Sequence, residues 1–121
     1  MATFDPNFVF GSCRIDLRNG PVGFTGGSSP GFWSLSVYNR QGANVFSIND
    51  RTMQGNNLDV VIATPQQLIE LQKDLPAELA NSVFAEADVG EGFVLLRAFV
   101  AEESLRAQSV DFIRSTACEA L

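Results

Sequence analysis

Along residues 8–17, Val9, Gly11, Cys13, Ile15 and Leu17 alternate with Phe8, Phe10, Ser12, Arg14 and Asp16. A period of two puts successive side chains on opposite faces of a strand, and the Cys13 face is the drier one. Asn19-Gly20-Pro21 predicts a turn, residues 22–24 a short strand, and GGSSPG at residues 26–31 a loop. Trp33, Leu35 and Val37 then alternate with Ser34, Ser36 and Tyr38. Residues 43–48 alternate again, with Phe46 and Ile48 on one face and Val45 and Ser47 on the other. Between these runs, Asn39-Arg40-Gln41-Gly42 has the composition of a tight connection, with Gly42 free to take positive φ. The stretch GFWSLSVYNRQGANVFSINDRT is therefore read as a β-hairpin that closes on Asn49-Asp50-Arg51-Thr52.

Residues 58–63, LDVVIA, form an almost unbroken apolar run rich in β-branched side chains, which predicts an interior strand. A helix follows: Thr64 can N-cap it, Pro65 fits its first position, and Gln67 stands where a capping-box partner belongs. Leu68, Leu71, Leu75 and Leu79 share one helical stripe, which Pro76 breaks or kinks. Residues 84–87 and 92–100 predict a second hairpin, turning at residues 88–92. From Glu102 onward the pattern is helical, with Val110, Ile113 and Ala117 at i, i+3, i+7 and Phe112 beside them. Strands joined by tight turns give a mainly antiparallel sheet. The fold class is mainly β (α+β): an antiparallel β-sandwich or jelly-roll-like sheet, with one short middle helix and a C-terminal helix packed on it.

A chain of 121 residues fits a single domain, 1–121, and a hydrophobic content of 45% with ten Phe allows it a core without staples. The net charge is −6 and the pI about 4.4. Seven Arg, one Lys and no basic run exclude a nucleic-acid surface and disfavour anionic lipid headgroups. No stretch reaches the ~20 apolar residues of a membrane helix. The nearest, GFVLLRAFVA, carries Arg97 in its middle. The opening MATFDPNF lacks the basic start and apolar core of a signal peptide. The segment itself is expected to be soluble and to make no membrane contact, with any export signal or anchor lying upstream.

The chain contains no histidine, which removes Ser–His and Cys–His nucleophile pairs and the commonest metal ligand. Two unclustered cysteines make no zinc site. Gly26-Gly27 lacks the Lys and the strand-to-helix setting of a phosphate loop, and Glu102-Glu103 suits the start of a helix. Neither a cofactor nor a catalytic residue is assigned, and the balance is against an enzyme.

Three features carry the remaining chemistry. Arg51 could fork onto a carboxylate or phosphate with Asp50 orienting it, but an Asx-type turn built on Asn49 and Asp50 is the preferred reading. Arg97 shares a face with Phe93, Leu95 and Phe99. A structural ion pair with Asp16 or Asp50 is expected for it, and a ligand-binding role in a cavity is the rival. Cys13, in the first strand, and Cys118, in the last helix, close a disulfide in an oxidising compartment or remain two buried thiols in a reducing one.

The segments FWSLSVYNRQGANVFSINDRT, NLDVVIATP and EADVGEGFVLLRAFVAEES resemble the bacterial domains of unknown function numbered 1254 and 1214, which often occur as partners. The family pattern has an FWSL-type strand, a Tyr-Asp-x-x-Gly hairpin and an Asn-Arg or Asn-Asp-Arg segment. A Leu-Asp-β-branched strand and a late Leu-Arg strand before an acid complete it. These features fall here on residues 32–35, 38–42, 49–51 and 58–60, and on Leu96-Arg97 ahead of Glu102. CRIDLRNGPV at residues 13–22 looks like the short, membrane-anchored members of Gram-negative bacteria. The resemblance implies a β-sandwich, jelly-roll-like domain tethered to the inner membrane and facing the periplasm. It implies no established activity, and no catalytic residue carries over. Tyr38-Asn39 stands where the pattern has Tyr-Asp, which takes an acid from that corner. No membrane helix precedes these motifs, so an anchoring segment upstream is implied.

The leading expectation is a non-enzymatic periplasmic binding or scaffolding domain, acting through a protein partner in the envelope. A second is a small-molecule binder or enzyme, with Asp16, Asn49, Asp50, Arg51 and Arg97 around a pocket between sheets. A third is a plain cytosolic domain with two free thiols.

Overall fold

The computed structural model describes residues 7–29, 31–52 and 57–121. Two four-stranded sheets face each other. The front sheet has the order β1-β7-β3-β4, with β1 at Phe8–Asp16, β3 at Trp33–Asn39, β4 at Asn44–Asn49 and β7 at Glu91–Phe99. The back sheet has the order β6-β5-β2-β8, with β2 at Val22–Thr25, β5 at Asp59–Ala63, β6 at Val83–Glu86 and β8 at Ala117–Ala120. Two helices, α1 (Pro65–Lys73) and α2 (Arg106–Ser115), complete the described chain. The protein is a mainly β sandwich of the α+β class.

Period-two burial builds the core. Trp33, Leu35 and Val37 are at most 2% exposed, and Val94, Leu96 and Ala98 of the neighbouring β7 at most 5%. Val22, Phe24, Val60, Ile62 and Ala85 meet them from the back sheet in one cluster. The predicted hairpin is present. Asn39 N donates to Ala43 O and Gly42 N to Asn39 O, each at 3.0 Å, and Gly42 takes φ 83°. The Asn39 side chain braces the turn by accepting from Gln41 N and Ala43 N. The α1 capping box also forms: Gln67 N donates to Thr64 Oγ1, and Thr64 N donates to Gln67 Oε1.

Four expectations are overturned. Residues 84–87 and 92–100 do not pair as a hairpin. β6 runs parallel to β5, with α1 as the crossover, whereas β7 crosses to the front sheet and lies between β1 and β3. As the nine-residue central strand, β7 forms two long ladders, which the four-residue β6 could not match. Val89, 8% exposed, is buried where the chain crosses between sheets. The antiparallel rule therefore has one exception among the described strands, β5 with β6.

Secondly, the last helix stops at Ser115, and residues 117–120 form β8 on β2. Ser115 Oγ and Thr116 Oγ1 both donate to Phe112 O, at 3.1 and 2.9 Å, and Thr116 turns extended. Cys118 is thus on a strand, and the buried residues of α2 are Ser109 and Phe112, with Ile113 partly buried beside them. Thirdly, Val110 and Ala117 are not part of that stripe. Finally, the stripe Leu68, Leu71, Leu75, Leu79 does not form one buried helical face. α1 ends at Lys73, since the residue before Pro76 avoids the helical region, and no α1 residue is buried.

Candidate functional site

The alternation that buries Trp33, Leu35 and Val37 turns Ser34, Ser36 and Tyr38 to the outer face of the front sheet, beside Phe93, Leu95, Arg97 and Phe99 of β7. Strand register arranges this face in rows. Asn49, Ser34, Arg97 and Phe10 form one row across all four strands, and Ser47, Ser36, Leu95 and Ser12 the next. Asn44, Tyr38, Phe93 and Arg14 form the third. Uncharged Ser and Asn side chains gather on β3 and β4, whereas Arg97 and Arg14 stand on β7 and β1 among Phe10, Phe93 and Leu95.

A hollow of about 450 Å³ lies on this face, lined by the front sheet's strands and by Phe32 just before β3. Its floor is organised by side-chain hydrogen bonds. Asn44 Nδ2 donates to Ser47 Oγ at 2.9 Å, and Ser47 Oγ donates to Ser36 Oγ at 3.0 Å. Arg97 Nε donates to Ser34 Oγ at 3.2 Å, and the Arg97 guanidinium carbon sits 4.7 Å over the Phe8 ring. At that range the ring face attracts the cation and fixes its position. Tyr38 and Phe93 stack with centroids 4.9 Å apart. No carboxylate lines the hollow, and Arg97 is its one formal charge among the described residues.

The five predicted site residues do not converge. Arg97 and Asn49 both line the hollow, one on each side of Ser34. Asp16 lies at the other end of the front sheet, opposite Glu91, and lines a separate hollow with Arg14 and Arg40. Its carboxylate accepts from Arg18 Nε and Nη2, each at 2.9 Å, and from Arg18 N at 3.0 Å. Those side-chain bonds from Arg18 hold the Asp16 carboxyl below its usual range against an opposing desolvation, and Asp16 in turn pushes the guanidinium's value up. Arg18 also reaches Glu91, which pairs with Arg40 at 3.6 Å. Asp16, Glu91 and Arg40 at the edge of this second hollow are thus engaged in ion pairs at the surface, where such pairs contribute little.

The expected ion pair of Arg97 with Asp16 or Asp50 is absent: among the described residues, no carboxylate is in ion-pairing range of Arg97. Side-chain alternation explains why, since Arg97 is on the outer face, half-buried and in reach of water, and a serine suffices as partner. After β4, Asn49 Oδ1 accepts from Arg51 N at 3.0 Å, an Asx turn leading into a short 3-10 turn at Asp50–Thr52. Asp50 Oδ1 has no hydrogen-bond partner among the described residues, and Arg51 is exposed. Between the sheets, core side chains fill most of the space, and a cavity of about 200 Å³ beside the Cys13–Cys118 bond, walled by Phe24, Val94, Leu96 and Ile113, holds none of the five predicted residues.

Cys13 and Cys118 are joined by a disulfide with Cα atoms 6.7 Å apart, tying β1 of the front sheet to β8 of the back sheet. Among the described residues no group of His, Cys, Asp or Glu is placed to hold a metal. Likewise, no described helix is long and apolar enough to cross a membrane.

Ser34, Ser36, Tyr38, Asn44 and Ser47 were not singled out by sequence reasoning. The signal was present, because the same alternation that marked the core marks its complement. What it lacked was the neighbour: only the insertion of β7 beside β3 brings Arg97 to Ser34.

Among solved structures, the chain is similar to the VPA0106 protein of Vibrio parahaemolyticus, at 13% identity and TM-score 0.75, covering 98% of this chain and 29% of that one. It is also similar to an uncharacterised protein from Burkholderia cenocepacia, at 12% identity and TM-score 0.63, covering 98% of this chain and 31% of that one. These likenesses concern the fold, and the chain spans under a third of the length of either structure. No curated protein matches it. The family model described as a protein of unknown function (DUF1254) matches residues 1–118, and the chain belongs to that family.

Proposed function

We propose that this domain is a non-catalytic binding module of the bacterial cell envelope, facing the periplasm, tethered through a segment upstream, and taking a small ligand on the outer face of its front sheet. The observation that carries the binding role is the hollow over β3, β4 and β7, with its hydrogen-bonded Ser and Asn floor and an Arg97 that no carboxylate among the described residues neutralises. A concave site with a few convergent polar groups against apolar walls is the usual form of a small-molecule site. The lining offers hydroxyls, amides and a guanidinium but no thiol, carboxylate or imidazole, so it supplies groups that bind rather than an activated nucleophile. The Cys13–Cys118 disulfide supports the compartment, since such bonds persist in oxidising surroundings.

A scaffold that works by docking a protein needs one broad apolar patch. Among the described residues, the exposed large apolar side chains are instead dispersed. Ile69 is on α1, Leu75 follows it, Val45 is on β4, Leu121 follows β8, and Phe32 and Phe93 lie toward opposite ends of the front sheet. This distribution favours a small ligand over a protein partner.

A thermal-shift screen of sugars, amino acids, nucleotides and fatty acids against the wild type and Ser36→Trp, which fills the hollow, tests the reading. At least one class should raise the melting temperature of the wild type and leave Ser36→Trp unmoved. Capture of one envelope protein equally by both proteins, with no small molecule active, replaces the reading with the scaffolding one. Thiol titration of protein recovered from the periplasm should find no free thiol, and two free thiols would remove the assignment to that compartment.

A further inference from the structure

We infer that the hollow on the front sheet takes a hydroxylated monocarboxylate, a sugar acid of the uronate type, with its carboxylate on Arg97 and its hydroxyls on the Ser and Asn floor. The inference rests on the binding role proposed for this face and specifies its ligand.

Three properties of the lining select this chemistry. The first is charge. Arg97 uses Nε on Ser34 and has no acid partner among the described residues, so an anion can supply the missing carboxylate in the fork geometry that guanidinium prefers. The Phe8 ring holds the guanidinium in place in advance. A rigid cation forms such a bond with little further ordering.

The second is the number of charges. The protein carries −6 overall, so every anion approaches against a repelling field that a single Arg must offset locally. A dianionic phosphate meets twice the repulsion of a monocarboxylate, and the lining has no second cation and no helix N-terminus to compensate.

The third is the remainder of the lining. Ser34, Ser36, Ser47, Asn44 and Asn49 offer donors and acceptors side by side, which suits hydroxyl groups that act as both. Phe10 and Leu95 on β1 and β7, and Phe32 just before β3, add apolar surface for the C–H face of a ring. A fatty acid would displace water from the polar floor and offer its remaining donors and acceptors nothing in exchange, at a cost for each group so buried. A neutral sugar would leave Arg97 without its anion. The volume of about 450 Å³ is within the ~300–1,000 Å³ range of small-ligand sites.

Nitrogen-15-labelled protein titrated with glucuronate, glucose and inorganic phosphate provides the test. Glucuronate should shift the amide signals of Ser34, Ser36, Tyr38, Asn49 and Arg97 saturably, with glucose and phosphate at least about tenfold weaker. Arg97→Gln should keep a dispersed spectrum and weaken glucuronate by about 10- to 100-fold, and Arg97→Lys, which retains charge without the fork, should fall between. Equal binding of glucose and glucuronate at this face would overturn the sugar-acid inference while leaving the binding role standing. Tighter binding of phosphate would do the same. Binding of all three elsewhere on the molecule, or no binding by a folded protein, overturns the inference, and the ligand screen then decides the binding role on its own.

Discussion

Cys13 of β1 and Cys118 of β8 are bonded across the sandwich, so the covalent link joins two sheets that otherwise meet only through packed side chains and connecting chain. β8 is a four-residue edge strand paired with β2 alone, and Cys118 is opposite Phe24 in that ladder. The bond closes a sequence separation of 105 residues. Reduction, or Cys13→Ser with Cys118→Ser, is expected to lower stability by about 2–4 kcal/mol, through the regained freedom of the unfolded chain. Urea unfolding with and without a dithiol reductant checks this. An unchanged midpoint would show that the bond constrains nothing that folding does not already constrain.

Gly92 marks a close approach of two backbones. A Cβ there would run into the Tyr38 carbonyl on the paired strand, next to the register shift at Val37/Tyr38. Gly27→Ala meets nothing within 4 Å. Gly92→Ala should therefore destabilise by about 2 kcal/mol or more, since backbone must move to accommodate it. Gly27→Ala should be neutral or slightly stabilising through the unfolded chain. Comparing the two unfolding midpoints separates close approach from the general effect of adding a methyl group.

Ser109 is 0% exposed, and its hydroxyl has no hydrogen-bond partner among the described residues. A buried, unpaired hydroxyl is a cost to the folded state. Ser109→Ala should stabilise by roughly 1 kcal/mol, with a further small gain from the better helix former inside α2. A loss of stability on calorimetry would mean that the hydroxyl is satisfied in solution.

The carboxyl of Asp16 is held below its ordinary value by Arg18, and that of Glu103 by Arg106. Each group binds a proton less readily when folded, so between its folded and unfolded values the unfolded state carries more protons and stability rises with pH. The contribution is complete above the usual carboxylate range, ~4, and is lost as pH falls through the depressed values. Because both pairs are exposed, the effect is small, and ~1 M salt should remove most of it. Urea midpoints of wild type and Asp16→Asn at a series of pH values should converge as the solution is acidified below pH ~4. Curves that stay parallel at low pH would rule out a linkage through this pair.

Much of the fold is legible in local pattern, because burial of one strand face writes itself as alternation and a helix start as a capping residue. Trp33, Leu35 and Val37 announced the core, Asn39 to Gly42 the tight turn, and Thr64 with Gln67 the start of α1. Each of these depends on residues within a few positions of one another. The second hairpin failed for a related reason: residues 84–87 and 92–100 are strands by pattern, but their partners are distant in sequence. β6 takes β5 across a helix, and β7 takes β1 and β3. Strand character is a property of the segment, whereas pairing is decided by competition among all the strands.

The same division holds for the candidate site. Sequence alone determined that this chain lacks histidine, that Arg97 stands among Phe93, Leu95 and Phe99, and that Ser34, Ser36 and Tyr38 share a face. Tertiary structure decided which of these groups meet. Insertion of β7 between β1 and β3 set Arg97 beside Ser34, two rows along the same face from the Tyr38–Phe93 stack, and left Asp16 at the far end with Arg18. It also placed Cys118 on a strand facing Cys13, because a helix that ends at Ser115 leaves the last residues free to complete the back sheet. Periodicity is set by one strand's own covalent geometry, while the distance between residues 34 and 97 depends on how the whole core packs.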